Sequence, residues 1–464
     1  MSTTDPKVIV IGLDCASPQV LFDWYKDDLP NISRMMEQGT WGPLESTVPA
    51  ITVPAWAAMT TSKNAGDLGV YGFRSRTPGA AYDDMDIAHA GMIKEKRVWD
   101  YLGDVGKKVG MLGVPQTYPI KPVNGMMVSS FLTPGTDVEF TYPAELKKEI
   151  LDAAAPDDYI FDFANRSNEP PEKVLEVINT MTDQRQKIFK DWVVNKEWDF
   201  LMMVEMGVDR IHHYLWQYMD PEHKEYTEGN PYKAQILEYY KKIDAWIGEV
   251  QELAPDNTIF YIVSDHGAKR MEGMFVINDW LIDNGYLVLK EKPEPGTSIQ
   301  KVNVDWSKTK AWAWGGFYGR LFVNVQGREP EGIVLEEEVD SFIEEMRTKL
   351  MAVKGPNGEV LEHRLVRTKE LYPDCVGDAP DLMIFWGDLY WKVAGTLGYN
   401  AHYIDQDDRG LDFGVHDWNG VFIKSDPNIN GVGKRDDLSI LDVTPSILQD
   451  FGIDIPIDLR GKGI

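Results

Sequence analysis

Cysteine is nearly absent: Cys15 and Cys375 are the two thiols among 464 residues. They cannot build a disulfide framework, so an apolar core must hold the fold, and the composition suits a reducing compartment. Long hydrophobic runs are missing too. VIVIGL (residues 8–13) is far short of the ~20 apolar residues of a membrane helix. The opening MSTTDPKVIVIGLD has neither the charged leader nor the cleavage site of a secretory signal. The expectation is a cytoplasmic protein with no membrane span. Positive charge is scarce, with 47 Lys and Arg against 74 Asp and Glu for a net charge of -27. Such a surface repels polyanions and argues against a nucleic-acid polymer as partner. A small anionic substrate remains compatible, because a bound cation inverts the field locally. No internal repeat or low-complexity tract is visible, and the sequence is silent on oligomeric state.

What is present is alternation. KVIVIGLD is a short β-branched run ending in an acid, the pattern of a strand buried on both faces. KVGMLGVP (108–115), GMMVSSF (125–131), DFLMMVEMG (199–207), NTIFYIVSD (257–265), GRLFVNV (319–325) and DLMIFW (381–386) read alike. Between them PEKVLEVINTMTDQRQKIFKDWVVN and AQILEYYKKIDAWIGEVQEL carry apolar residues at helical spacing. Strands alternating with helices predict an α/β fold with a doubly wound, mostly parallel central sheet flanked by helices. Candidate site residues are spread from one end to the other, which favours one catalytic domain over 1–464. Residues 286–375 are less regular and predict a small inserted cap.

In open α/β sheets, ligands bind beyond the carboxyl ends of the strands. Asp14 closes the first run, Asp209 follows LMMVEMG, and Asp265 and His266 close FYIVSDHG. Each acid alone suits a turn or helix cap. Three on one rim would repel one another unless cations neutralise them. A helix starting near Asp209 puts His213 four residues on, on the same face, where carboxylate and imidazole can share an ion. His212 points about 100° away and packs or meets solvent. His416, in GVHDWNGVFI, precedes another apolar run and can reach the rim. His89, His223, His363 and His402 lie in polar or irregular stretches and read as surface residues.

Thr52 stands between two prolines in PAITVPAWAAM. The segment predicts a helix start with the Thr52 hydroxyl at the N-cap and Pro54 in the first turn. Helix capping explains it fully. The same geometry would hold an alcohol where free N–H groups and the helix dipole favour an anion, and a divalent metal there would make the hydroxyl a nucleophile.

At these residues the sequence resembles the alkaline phosphatase superfamily, and is most similar to its nucleotide pyrophosphatase/type I phosphodiesterase branch and the related prokaryotic phosphohydrolase/phosphomutases. The likeness runs through VIGLDCASP, GPLESTVPAITVPAW, VDRIHHYLWQYMDP, SDHGA, FVINDWLIDNGYL, GRLFVNVQGREPEGIV, GVHDWNGVFI and LDVTPSILQDFGIDIPIDLRGK, most of the chain in the family's order. The resemblance implies two divalent metal ions, zinc first and manganese or iron as alternatives. Asp14, Thr52, Asp265 and His266 would hold one, and Asp209, His213 and His416 the other. It implies in-line displacement at phosphorus, with Thr52 as catalytic nucleophile, a phospho-threonine intermediate and a small phosphate-ester substrate. A phosphodiesterase is the first expectation; a phosphomutase, a phosphomonoesterase and an inactive relative are the alternatives. The phosphate-binding asparagine of the animal enzymes has no counterpart in GVYGFRSR, where Arg74 or Arg76 stands as a replacement. CASPQ lacks the C-x-P-x-R context of a sulfatase nucleophile. AWAWGGFYGR, within the expected cap, is the candidate substrate wall.

Overall fold

A computed structural model describes residues 6–163 and 169–464. Its centre is a ten-stranded sheet. Going along the chain, we label Lys7–Leu13 β1, Thr40–Glu45 β2, Val109–Leu112 β3, Gly125–Val128 β4, Thr141–Tyr142 β5, Phe200–Glu205 β6 and Thr258–Val263 β7. In space the order is β7-β1-β6-β3-β4, all parallel. Antiparallel strands extend both ends: β5 beyond β4, and Asn419–Ser425 followed by β2 beyond β7.

The β-branched runs form these strands because both faces are covered. Val8 and Val10 of β1 enter one apolar cluster, together with Phe200, Met202 and Val204 of β6 and Tyr261 and Val263 of β7. Ile9, Ile11 and Leu13 enter a second cluster on the other face, with Leu201, Met203, Phe260 and Ile262. Alternate residues thus find apolar partners on opposite sides, so the runs are continuously hydrophobic. Three helices matter most for the site. Thr52–Thr61 (α1) lies on the first face, while Pro171–Asn195 (α2) and Gly207–Met219 (α3) lie on the second.

Two runs read as comparable strands go elsewhere. Gly319–Val323 and Leu382–Phe385 join Ala311–Trp314 and Arg364–Arg367 in a separate four-stranded antiparallel sheet. That sheet is also apolar on both faces: Leu321, Leu382 and Ile384 enter one cluster, and Met383 and Phe385 another. Two-sided burial erases the period-two signal that would have distinguished it. Its larger cluster gathers residues from Phe275 to Leu397, with Tyr82 contributed from outside that span. No described helix is long and apolar enough to cross a membrane.

Candidate metal centre and active site

The three strand-end acids meet at one rim. Asp14 follows β1, Asp265 lies two residues beyond β7, and Asp209 sits in the first turn of α3 behind β6. Because β1 lies between β6 and β7, the parallel order brings the three ends side by side. Asp14 and Asp265 are fully buried and Asp209 is 2% exposed. Burial, then the charges of Asp265 and Asp209, pushes the Asp14 carboxyl well above its usual range. Burial acts on Asp209 too, but His213 and Arg210 outweigh it and hold that carboxylate well below its usual range.

Histidines complete the two clusters. His213 stands one turn on from Asp209, with Nε2 3.2 Å from the carboxylate. His416 comes from the strand Gly414–Asp417, which pairs antiparallel with Gly267–Arg270 and sets His416 opposite Ala268. His266 and His416 stack with ring centres 3.7 Å apart. Each ring fixes its Nδ1 on a protein acceptor: His213 on Asp412 at 2.9 Å, His266 on the Gly267 carbonyl at 3.1 Å, His416 on the Ala50 carbonyl at 2.9 Å. That leaves Nε2 as the atom each ring could offer to an ion, the arrangement that orients metal-binding imidazoles.

Thr52 corrects one expectation. The N-cap of α1 is Ile51, and Thr52 is the first residue inside the helix with no capping role for its side chain. Its hydroxyl instead lies 3.2 Å from His266 Nε2 and is buried. The helix-start N–H groups of Thr52 and Val53 lack intrahelical acceptors, and Pro54 has none to satisfy. Four residues on, Trp56 Nε1 donates to Asp14 Oδ2 at 2.7 Å, tying α1 to the end of β1.

All seven expected site residues therefore converge. Asp14, Asp265 and His266 form one group whose ligand atoms lie within 4.8 Å of one another, with Thr52 against it. Asp209, His213 and His416 form a second group, which Cys15 joins. Asp14 Oδ1 is buried with no hydrogen-bond partner among the described residues, while the buried Asp209 Oδ1 and Asp265 Oδ2 face imidazole nitrogens, His213 Nε2 at 3.2 Å and His266 Nε2 at 3.0 Å. Orphaned carboxylate oxygens at this depth are costly unless a cation meets them. Carboxylates, imidazoles and an alcohol suit divalent ions, so the residues present fit two metal ions.

Several participants were missed or misplaced by sequence reasoning. Cys15 sits at positive φ (62°), a conformation glycine adopts more easily, and only its place beside Asp14 could have flagged it. Asp412 and Lys392 follow from no motif. Arg210 pairs with Asp162 through two hydrogen bonds while contacting Asp209. His212 packs: it is fully buried, with Nδ1 on the Cys15 carbonyl and Nε2 on Tyr240. His223 and His363, expected at the surface, are 4% and 7% exposed, drawn in by ring contacts with Phe413 and Trp386. Arg76 is no phosphate ligand candidate, since its guanidinium is buried against Glu329 and Asp378.

A cavity of about 530 Å³ opens beside the clusters. Ile51 and Tyr71 line it, together with Trp314, Phe317 and Tyr318 from the expected substrate wall. Phe317 stacks on His416 with ring centres 3.8 Å apart, so the cavity abuts the second cluster.

The model of the type I phosphodiesterase/nucleotide pyrophosphatase family matches residues 8–419. The chain belongs to that family. It is accordingly a hydrolytic enzyme of the alkaline phosphatase superfamily. Among solved structures, phosphonoacetate hydrolase from Sinorhizobium meliloti, in complex with phosphonoacetate, is similar at 14% identity and TM-score 0.60, covering 96% of each chain. Human ectonucleotide pyrophosphatase/phosphodiesterase 5 is 13% identical with TM-score 0.54, covering 99% of this chain and 97% of its own. An inactive murine form of that protein in complex with AMP gives 12% identity and TM-score 0.54, covering 99% of this chain and 98% of its own. At these identities the likeness is one of fold. No curated protein matches the sequence.

Proposed function

We propose that the protein is a metal-dependent phosphodiesterase that cleaves a small phosphate ester through a covalent phospho-threonine on Thr52. The observation that carries this reading is the buried Thr52 hydroxyl lying against the Asp14, Asp265 and His266 group, whose His266 stacks on His416 of the second. Asp14, Thr52, Asp265 and His266 would hold one divalent ion, and Asp209, His213 and His416 the other. The mixed imidazole and carboxylate set favours zinc, with manganese or iron as substitutes. When bound, the ions supply positive charge that acidifies the alcohol and neutralises phosphoryl oxygens.

The chain's own residues do the rest. Thr52 Oγ1 attacks phosphorus, the bond to the leaving alcohol breaks, and the departing oxygen takes up a proton. Water then attacks the phospho-threonine, which restores the hydroxyl and releases the phosphate monoester. The N–H groups of Thr52 and Val53 and the start of the α1 dipole favour the anionic oxygens. Phe317 covers His416 and keeps water from that side. The lobe expected over 286–375, together with Leu382–Phe385, serves as the cap over this centre.

Thr52→Ala tests the covalent route. Turnover of bis(p-nitrophenyl) phosphate should fall by about a thousandfold or more, with both ions retained by elemental analysis. Nearly full turnover in that variant would exclude it. Running p-nitrophenyl phosphate beside the diester, and assaying sugar phosphates for isomerisation, separates diesterase from monoesterase and mutase.

A further inference from the structure

The cavity beside the metal clusters has a positive excess in its lining, the reverse of the balance over this acidic protein. Arg74, Arg320, Lys392 and Arg409 line it, against one acid, Asp408. Two of the four cations are committed to carboxylates. Lys392 is bound by Asp407 and Asp412, and Arg409 has Asp408 3.9 Å away. Asp408 is itself engaged, accepting from the backbone N–H groups of Gly395 and Thr396 and from the Thr396 hydroxyl.

Arg74 and Arg320 differ. Neither has a carboxylate within ion-pair distance among the described residues. Arg320 is 8% exposed, and among the described residues its guanidinium makes one hydrogen bond, Nη1 donating to the Arg74 carbonyl at 2.6 Å. Burying a guanidinium with no carboxylate in ion-pair contact is costly, and Asp378 acts on Arg320 only from longer range; Arg74 is exposed at the same cavity. Residue 72 keeps the flank of Arg320 open: a Cβ added there would stand 3.9 Å from Arg320 Cζ and Nη1. The same cavity carries apolar lining from Met85, Met274, Trp314 and Phe317.

We propose that Arg74 and Arg320 form a second anion subsite, so that the substrate carries a further phosphate beyond the one cleaved at Thr52. A planar guanidinium fork matches phosphate oxygens in a bidentate way and repays the cost of its own burial. The apolar part of the cavity lining suits a carbon chain or ring joining the two anionic ends. This substrate class rests on the phosphodiesterase reading, and the test separates the two.

The probes are two series of p-nitrophenyl alkyl phosphodiesters of increasing chain length, one ending in phosphate and the other in a hydroxyl. Metal-loaded wild-type protein should prefer the phosphate-ended probe at one chain length by about tenfold or more in KM. Arg320→Gln should erase that preference, and Arg74→Gln should weaken it. Gly72→Leu, which fills the flank without touching charge, should erase it as well. Equilibrium dialysis of metal-loaded Thr52→Ala with the same probes should reproduce the preference as binding. Equal binding of both series to Thr52→Ala, or a preference that survives Arg320→Gln, overturns the subsite. If Thr52→Ala shows the preference while wild type hydrolyses neither series, the subsite stands and the hydrolytic reading falls.

Discussion

Asp412 accepts from His213 Nδ1 at 2.9 Å and takes Lys392 Nζ at 2.8 Å on its other oxygen. Burial opposes its charge, but Lys392 and His213 hold its pKa at about 2. It is thus a permanent anion that fixes the imidazole tautomer. Asp412→Asn should weaken ion binding at the Asp209, His213 and His416 group by about 10–100-fold, measured by competition with a metal buffer; unaltered affinity would remove Asp412 from the account. Protons compete for the same imidazole. Burial lowers the His213 pKa, but Asp412 and Asp209 outweigh it and raise it to about 9. The metal-free protein therefore holds a proton there below that pH, and an ion must displace it. Divalent-ion affinity should climb by about tenfold per pH unit toward pH 9 for each proton displaced, and a flat profile would contradict this. Folding follows the opposite sign. The raised pKa stabilises the metal-free protein below the ordinary histidine value, and that contribution is lost as pH rises through about 9. At this scale the strand-end acids and the four-residue step from Asp209 to His213 were legible, because backbone period fixes where such residues point. Asp412, Lys392 and Arg320 were not, since their partners lie far away in the chain and no local pattern announces them.

The joint between β1 and α1 sets where the hydroxyl sits. Gly12 has no room for a side chain: an added Cβ would lie 2.5 Å from Trp56 Cη2 and 2.9 Å from Val204 Cγ2. Trp56 is fully buried and holds Asp14 through its indole N–H. Gly12→Ala should push Trp56 and α1 away from the sheet and cost about 1–3 kcal/mol of stability. It should also lower turnover, because Thr52 rides on the same helix. Denaturant unfolding and the diester assay check both; a variant as stable and active as wild type would show that the joint has slack. Elements such as Pro171–Asn195 were readable to the residue from hydrophobic period. The N-cap at Thr52 was misread because Ser or Thr before a proline-bearing first turn looks the same one residue early or late, and tertiary contact with His266 settled it. The strands Gly319–Val323 and Leu382–Phe385 were recognised as strands, the first within the expected cap, but their pairing in a sheet of their own was not legible, for burial on both faces leaves no trace of pairing direction.

Over the whole molecule, a net charge of -27 surrounds a core that gathers three buried carboxylates at one point. Without cations burial of the Asp14 charge opposes folding, whereas His213 and Arg210 compensate Asp209. Two bound ions should stabilise the native state by mass action, about 2.7 kcal/mol for each at a hundredfold excess over Kd. Chelation should lower Tm and abolish turnover together, and zinc should restore both; a Tm indifferent to chelator would separate the cluster from the fold. The strand–helix alternation made the main sheet legible and AWAWGGFYGR stood out as a cavity wall, whereas the parts played by Tyr71 and Lys392 were not legible, because they come from distant stretches with no local pattern. The central claim is that two ions sit over Thr52. Anomalous diffraction at the zinc edge from crystals of the loaded protein tests it most directly. The account predicts two peaks, one among Asp14, Thr52, Asp265 and His266 and one among Asp209, His213 and His416. A single peak, or ions bound elsewhere with both clusters empty, would contradict it.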